Sequence, residues 1–181
     1  MSLSQQPESP KQGDDSRRFG RWMIVATWLL LLILLTLLFS NWLQRERNPN
    51  RALSVADAPA GGAVTLRSNR EGHYLAPGEI NGVEVTFLLD TGATWVAVPE
   101  GEAERAGLRK GPKSQSLTAG GVTDTWLTRI DSLRLGPFEM QGVRAAIIPD
   151  MPGDEVLLGV NFLKHFTLEQ TGDRMRITLP E

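Results

Sequence analysis

The sequence of 181 residues predicts an all-β domain preceded by a single transmembrane helix. An uncharged apolar run predicts the helix. Many short β-patterned segments, separated by glycine-containing turns and accompanied by one or two short helices, predict the domain. Such a series of strands is typical of a closed β-barrel or a β-sandwich. The predicted boundaries are a disordered N-terminal tail at 1–21, a transmembrane helix at 22–44, a flexible tether at 45–62 and one folded domain at 63–181.

Composition excludes several kinds of chemistry. The chain has no cysteine and two histidines, so disulfides and a thiolate nucleophile are excluded. A histidine-rich zinc site and a Ser-His-Asp triad have few candidates. Residues 61–181 carry 12 Lys and Arg against 16 Asp and Glu, a formal charge of −4. Because no basic face is concentrated there, we expect no nucleic-acid partner. We also expect no metal and no cofactor.

The uncharged run at 22–44 is long enough to cross a bilayer. Its apolar stretch, Trp22–Leu43, has 22 residues and spans about 33 Å as a helix. Trp22 and Trp42 stand near the two ends, where the headgroup region favours amphipathic rings. A cleaved signal peptide is the alternative, but its apolar region would be shorter, with a small-residue cleavage site directly after it. Ala56-Asp57-Ala58 has suitable residue sizes but lies far downstream. We therefore expect a retained anchor.

Charges beside the run give a small bias in its orientation. Four cationic residues precede the run and three follow it closely. Three of the four upstream charges lie next to the helix end, which favours a cytoplasmic N-terminus and a domain on the opposite side. The tail is rich in Ser, Gln, Pro, Gly and charge, and the tether is polar and then rich in Ala, Pro and Gly. Neither segment is expected to bury a core.

Turn signals divide the domain into its elements. Residues 72–80 and 83–89 flank Asn81-Gly82, a strong signal for a two-residue hairpin turn. Glu100–Ala106 has a helical pattern that Gly107 closes. The other predicted elements are strands at 95–98, 132–135, 143–148 and 156–158, a hairpin of 116–119 and 122–130 around Gly120-Gly121, a helical turn at 161–165, and a last hairpin of 166–169 and 174–179.

The segment Phe87–Thr94, FLLDTGAT, carries the candidate chemistry. An apolar strand delivers the carboxylate of Asp90 into a small, turn-forming sequence. Burying that carboxylate is costly unless it is hydrogen-bonded or shares a proton. Thr91 can supply a hydroxyl, and Gly92 lets the backbone approach the carboxylate closely. Taken alone, an Asp-Thr-Gly sequence is more often an aspartate that accepts hydrogen bonds from the turn after a strand.

Three elements together resemble the retropepsin-like aspartic proteases. The first is the apolar-apolar-Asp-Thr-Gly-Ala loop at Leu88–Ala93. The second, Val156–Gly159 followed by the helical turn, is similar to the family's apolar-apolar-Gly element behind the catalytic loop. The third is the Gly120-Gly121 hairpin, which lies between the other two where these enzymes carry their flap. The order and spacing agree over residues 72–179, and the single N-terminal span resembles the bacterial membrane-anchored members.

The resemblance implies a fold, a site and a stoichiometry. It implies a retropepsin-like closed barrel or sandwich protomer in which Asp90 is catalytic. The chain has one Asp-Thr/Ser-Gly triplet where two-lobed pepsin-like enzymes have two, so the second carboxylate is expected from a second copy in a homodimer. The other implied site residues are Thr91, Gly92, Ala93 and Thr94 in the active-site loop, Thr118, Ala119, Gly120 and Gly121 in a substrate-binding flap, and Leu157, Leu158 and Gly159 behind the loop.

The implied function is that of a membrane-anchored aspartic endopeptidase acting on polypeptides. The resemblance implies a single-pass protein of a bacterial inner membrane with its domain in the periplasm. In this chemistry two carboxylates about 3 Å apart share a proton, one activates water, and the other protonates the peptide carbonyl. The alternative is a non-catalytic peptide-binding module of the same fold, tethered to the membrane. An intact Asp-Thr-Gly-Ala favours the enzyme, because a binding module needs no buried carboxylate at that point.

Overall fold

The computed structural model of the protein describes residues 14–51, 62–118 and 121–180. The chain divides into two compact units, residues 1–44 and residues 45–181. The first unit is made by helix α1 (Asp14–Arg47), whose last residues belong to the second. Within α1, Trp22–Ser40 is a segment of 19 residues with a mean hydropathy of 2.6. All its side chains are exposed, so by length and composition this segment could cross a membrane.

Helix α1 extends beyond the predicted span of 22–44 at both ends. Residues 14–21, predicted as part of a disordered tail, are helical and continue α1 towards its N-terminal end. The helix ends before Asn48, since Pro49 disfavours helical backbone in the residue that precedes it. Residues 45–51 of the predicted tether are also structured. The remaining parts of the predicted tail and tether, 1–13 and 52–61, lie outside the described residues.

The described part of the second unit contains ten strands and two short helices. In chain order they are β1 (Val64–Arg67), β2 (Leu75–Ile80), β3 (Val83–Leu89), β4 (Val96–Pro99), α2 (Glu100–Arg105), β5 (Lys113–Thr118), β6 (Gly121–Leu135), β7 (Phe138–Ile148), β8 (Val156–Leu158), α3 (Val160–Leu163), β9 (Thr167–Thr171) and β10 (Arg174–Thr178).

Six of the strands form a closed barrel, as the all-β prediction requires. Their order is β2-β3-β8-β4-β7-β6, and pairing of β2 with β6, from Gly78↔Leu135 to Ile80↔Leu133, closes the ring. Gly78 permits this closure, because a Cβ there would lie 2.4 Å from both the Arg134 carbonyl oxygen and the ring of the fully buried Phe87. Strand β5 extends the sheet beyond β6, and β1, β10 and β9 form a separate three-stranded sheet.

The hairpin predicted at Asn81-Gly82 is present. Ile80 pairs with Val83, and the two turn residues have φ values of 51° and 79°, which a two-residue hairpin turn of this kind requires. The Asn81 side chain also accepts hydrogen bonds from the backbone N–H groups of Asp131 and Ser132, both at 3.1 Å. This turn therefore fastens β2 and β3 to β6.

Two parallel pairings position the candidate site. Strand β8 lies between β3 and β4, parallel to β3 and antiparallel to β4, and β4 is parallel to β7. Leu89, the last residue of β3, is the partner of Leu158, the last residue of β8. Because parallel strands end at the same edge, the segments following β3 and β8 emerge side by side.

Several boundaries differ from the predicted ones. Strands predicted separately at 122–130 and 132–135 form the single 15-residue β6, because the polar break at Asp131 and Ser132 is bridged by Asn81. Strand β1, which is four residues long, was not predicted. The other predicted strands and both short helices are present within a few residues of their expected ends.

Candidate active site

Asp90 lies directly after β3, at the edge where the barrel strands end. Its backbone N–H donates to the Leu158 carbonyl oxygen at 3.1 Å, which joins the loop to β8. Its carbonyl oxygen accepts from the Ala93 N–H at 3.3 Å, closing a turn. The Oδ1 atom of the half-buried carboxylate accepts from the Gly92 N–H at 2.8 Å. The carboxylate is thus held by its own loop.

Glycine at position 92 is suited to this close approach. A Cβ there would lie 3.1 Å from Asp90 Oδ1, tighter than an ordinary contact, so a side chain would push against the oxygen that the backbone binds. Thr91, Gly92 and Thr94 are exposed, and Ala93 is half-buried. The outer surface of the loop therefore lies open in the single chain.

The apolar-apolar-Gly segment lies behind this loop. Gly159 follows β8, and the N–H groups of the next two residues donate into the loop: Val160 to the Ala93 carbonyl at 2.8 Å and Asn161 to the Thr94 carbonyl at 3.1 Å. A Cβ on Gly159 would lie 2.4 Å from the Trp95 carbonyl oxygen. Only glycine allows this packing. Leu158 is fully buried and Leu157 half-buried, so the segment also continues the core to the site.

The predicted flap is the hairpin of β5 and β6. Its strands pair from Lys113↔Trp126 to Thr118↔Gly121, while Ala119 and Gly120 lie outside the described residues. Near the tip, Leu117 and its partner Val122 are 84% and 66% exposed. The sequence prediction did not name these two exposed side chains. Their signal is two apolar residues placed symmetrically about the predicted Gly-Gly turn.

The base of this hairpin is fixed. The Gly111 N–H donates to the Leu127 carbonyl at 2.9 Å, and the Leu127 N–H donates to the Pro112 carbonyl at 3.0 Å. The ammonium groups of Lys110 and Lys113 lie 4.5 and 5.7 Å from the centre of the Trp126 ring. These distances suit cation–π attraction, which adds to the backbone hydrogen bonds at the base of the hairpin.

The structure brings the Asp90 loop and the Gly159 segment together. Among the described residues, neither histidine side chain forms a hydrogen bond with the Asp90 loop. His73 contacts Glu71 at 3.3 Å, and His165 is exposed at the end of α3. Across residues 14–51, 62–118 and 121–180, no group of three or more Asp, Glu or His side chains is placed to hold a metal ion. The chemistry available at this edge is that of a carboxylate.

Comparisons with known proteins agree with this geometry. A family model described as gag-polyprotein putative aspartyl protease matches residues 76–165, which contain the Asp90 loop, the hairpin and the Gly159 segment. The crystal structure of a retropepsin-like aspartic protease from Rickettsia conorii is similar, with a TM-score of 0.55 and 24% identity over 64% of this chain and 89% of that chain. A Sinorhizobium sp protein, described as an uncharacterized protein in the cobV 5′ region, is 25% identical over 174 residues, 88% of this chain and 75% of the relative. The matched family model and the shared barrel fold support a place for the chain in a retropepsin-like family.

Proposed function

We propose that this protein is a membrane-anchored aspartic endopeptidase in which the Asp90 carboxylates of two copies activate a water molecule between them. The observation that carries the proposal is the placement of Asp90. Its carboxylate stands half-buried at the end of a barrel strand, with Oδ1 bonded to the Gly92 N–H. Among the described residues, Oδ2 accepts no hydrogen bond and is available for the shared proton or for the water.

The reaction follows from two such groups at close range. Two carboxylates about 3 Å apart do not both ionise readily, so the pair holds one proton. The ionised member takes a proton from the water as it attacks the peptide carbonyl, and the protonated member donates to the carbonyl oxygen. A proton then passes to the leaving amine as the C–N bond breaks. The Gly92 N–H orients the carboxylate for these steps.

A homodimer supplies the second carboxylate in this proposal. The chain contains one Asp-Thr-Gly triplet, and the outer residues of its loop, Thr91, Gly92 and Thr94, are exposed in the single chain. A twofold axis beside this loop would bury those residues against the same residues of the second copy. The Thr91 hydroxyl would then donate across the axis.

We further propose that a polypeptide substrate lies extended between the Asp90 loop and the β5–β6 hairpin. The exposed apolar pair Leu117 and Val122 supports this placement, because such side chains near a hairpin tip gain free energy when a ligand covers them. The strand backbone at Thr118 and Gly121 would donate and accept hydrogen bonds along the peptide. Closure of this flap would exclude water from the carboxylates.

The anchor in this proposal is the apolar segment at 22–44, which leaves the domain on the periplasmic side of a bacterial inner membrane. The exposed helical segment Trp22–Ser40 and the small excess of upstream cations support it. Reporter fusions after residue 60 test the orientation. We expect activity from a periplasmic reporter, and activity from a cytoplasmic reporter alone would reverse the assignment.

The decisive experiment replaces Asp90 by Asn in the full-length protein in lipid nanodiscs. The variant is nearly isosteric and has neither the base nor the acid, so cleavage of a mixed peptide library should fall to background. Asp150→Asn, at an exposed turn, is the matched control and should cleave like the wild type. A statine-type inhibitor should stop wild-type cleavage.

The same experiment separates the alternative, a peptide-binding module. If the wild type binds peptides and cleaves none, the module is correct. If Asp90→Asn cleaves at the wild-type rate, another residue performs the chemistry.

A further inference from the structure

The residues that follow the apolar segment are fastened to the barrel domain by one buried asparagine. Asn50 is 4% exposed, and its amide makes three hydrogen bonds to backbone groups. Its Nδ2 donates to the carbonyl oxygens of Arg67 at 2.8 Å and Leu75 at 2.7 Å. Its Oδ1 accepts from the Arg67 N–H at 2.8 Å. One side chain thereby satisfies both backbone polar groups of Arg67 and joins β1 to the first residue of β2.

Neighbouring residues support this attachment, and we call residues 46–51 the Asn50 clamp. The Asn50 N–H donates to Asn48 Oδ1 at 3.0 Å, which shapes the turn that presents the amide. Glu46 forms an ion pair with Arg70 at 2.6 Å. The Asn69 amide donates to the Arg47 carbonyl at 3.3 Å. The clamp thus contacts the domain through the turn between β1 and β2 as well as through Asn50.

The clamp reaches backbone that supports the catalytic loop. Leu75 pairs with Leu88 of β3, and the preceding Tyr74 carbonyl accepts the Leu89 N–H at 3.0 Å. Leu89 immediately precedes Asp90. From the Leu75 carbonyl that Asn50 binds, the path to the Asp90 loop therefore runs through the adjoining Tyr74 and its one backbone hydrogen bond with Leu89.

We infer that the Asn50 clamp supports the Asp90 loop and that Asn50 is a positioning residue for this loop. This inference rests on the proposed function. Removing the amide takes away the partner of the Arg67 N–H and carbonyl at the end of β1 and of the Leu75 carbonyl at the start of β2. Loss of the bond to Leu75 loosens the backbone beside Tyr74, which holds Leu89. A catalytic domain taken to begin at residue 63 lacks this residue, so detaching the domain from its anchor at that point would also weaken the site.

The test uses the full-length protein in lipid nanodiscs and compares Asn50→Ala with Gln170→Ala, an exposed polar residue on β9. For Asn50→Ala we expect kcat for peptide cleavage to fall about tenfold or more while KM changes less than about threefold. Hydrogen exchange should accelerate at the Arg67, Leu89 and Asp90 amides and stay unchanged in the β6–β7 pairing. Gln170→Ala should leave all these quantities at their wild-type values.

Two further variants keep the inference testable if Asn50→Ala fails to fold. Asn50→Asp is isosteric and keeps the acceptor for the Arg67 N–H but removes both donors, so the same changes are expected. Glu46→Gln weakens the ion pair with Arg70 and should produce a smaller change in the same direction.

The outcomes separate this inference from the proposed function. An unchanged kcat with faster exchange at Arg67 alone would make the clamp merely structural and overturn the inference. Unchanged exchange at Leu89 and Asp90 would also overturn it. If the wild type cleaves no peptide, the proposed function fails, and faster exchange at Leu89 and Asp90 in Asn50→Ala still supports the positioning role.

Discussion

Gly159→Ala tests the packing of the β8–α3 segment behind the catalytic loop. The new Cβ would lie 2.4 Å from the Trp95 carbonyl oxygen and 2.8 Å from the Ala93 carbonyl oxygen, whereas ordinary contact begins near 3.4 Å. The backbone of the loop must therefore retreat by up to about 1 Å. Gly159 has φ −79° and ψ 175°, which alanine adopts freely, so the cost is steric alone.

The magnitude follows from two opposing terms. Overfilling a packed site costs about 1–3 kcal/mol, and the smaller chain entropy of alanine in the unfolded state offsets roughly 0.4–1 kcal/mol. The net loss of unfolding free energy is about 1–2 kcal/mol, which lowers Tm by roughly 3–8 °C in a domain of this size. Displacing a catalytic group by about 1 Å costs on the order of 100-fold in kcat. Thermal unfolding and peptide cleavage in nanodiscs measure both effects.

Gly101→Ala is the matched control. Gly101 lies in α2, and a Cβ there meets no atom within 4 Å. Alanine in a helix is favoured over glycine by roughly 0.5–1 kcal/mol, so Tm should rise slightly and cleavage should not change. If Gly159→Ala unfolds and cleaves like the wild type, the close packing of this segment against the loop is not as described.

Three further predictions concern the carboxylate pair, the flap and the dimer. Cleavage should follow a bell-shaped pH profile, because the pair must hold one proton: acid protonates both carboxylates, and alkali ionises both. Replacing His73 and His165 by Gln should preserve that shape, and a limb that disappears would belong to an imidazole. The double variant Leu117→Ser and Val122→Ser should raise KM about tenfold without changing Tm, because both side chains are exposed until a peptide covers them. An unchanged KM would show that these side chains are not part of the substrate site. Co-expression with an equal amount of Asp90→Asn should leave about a quarter of the wild-type activity at the same total protein through random pairing of copies, whereas about half would indicate an active monomer.

The hairpin and the catalytic loop were predictable because their signals are local. Asn81-Gly82 needs positive φ at both positions, and few other residues adopt it readily. The loop after β3 likewise carries its own turn chemistry in Gly92. Leu158, the partner of Asp90 on the neighbouring strand β8, was predictable only through the family resemblance. No local pattern specifies a parallel pairing between strands that are distant in sequence.

The Asn50 clamp could not be predicted, for a related reason. Residues 45–51 are polar and contain a proline, which is typical of a linker. Composition alone therefore predicts that such a segment is exposed to solvent. Its structure depends on two free carbonyl groups and one N–H presented by β1 and β2. Burial of a polar side chain is favourable only where such partners exist, and their positions are a property of the folded domain.

The parallel pairing of β3 with β8 has a consequence for the order of events during synthesis. The Asp90 N–H is held by a carbonyl 68 positions later in the chain, and Gly159 and α3 complete the support of the loop. A ribosome must therefore deliver almost the whole chain before the loop finds its bonding partner. Long-range pairings of this kind close slowly, since the entropy of a large loop is lost before the contact forms. Until then the Asp90 carboxylate stands on an unassembled loop. Support of this loop is therefore completed late, long after helix α1 has been synthesised.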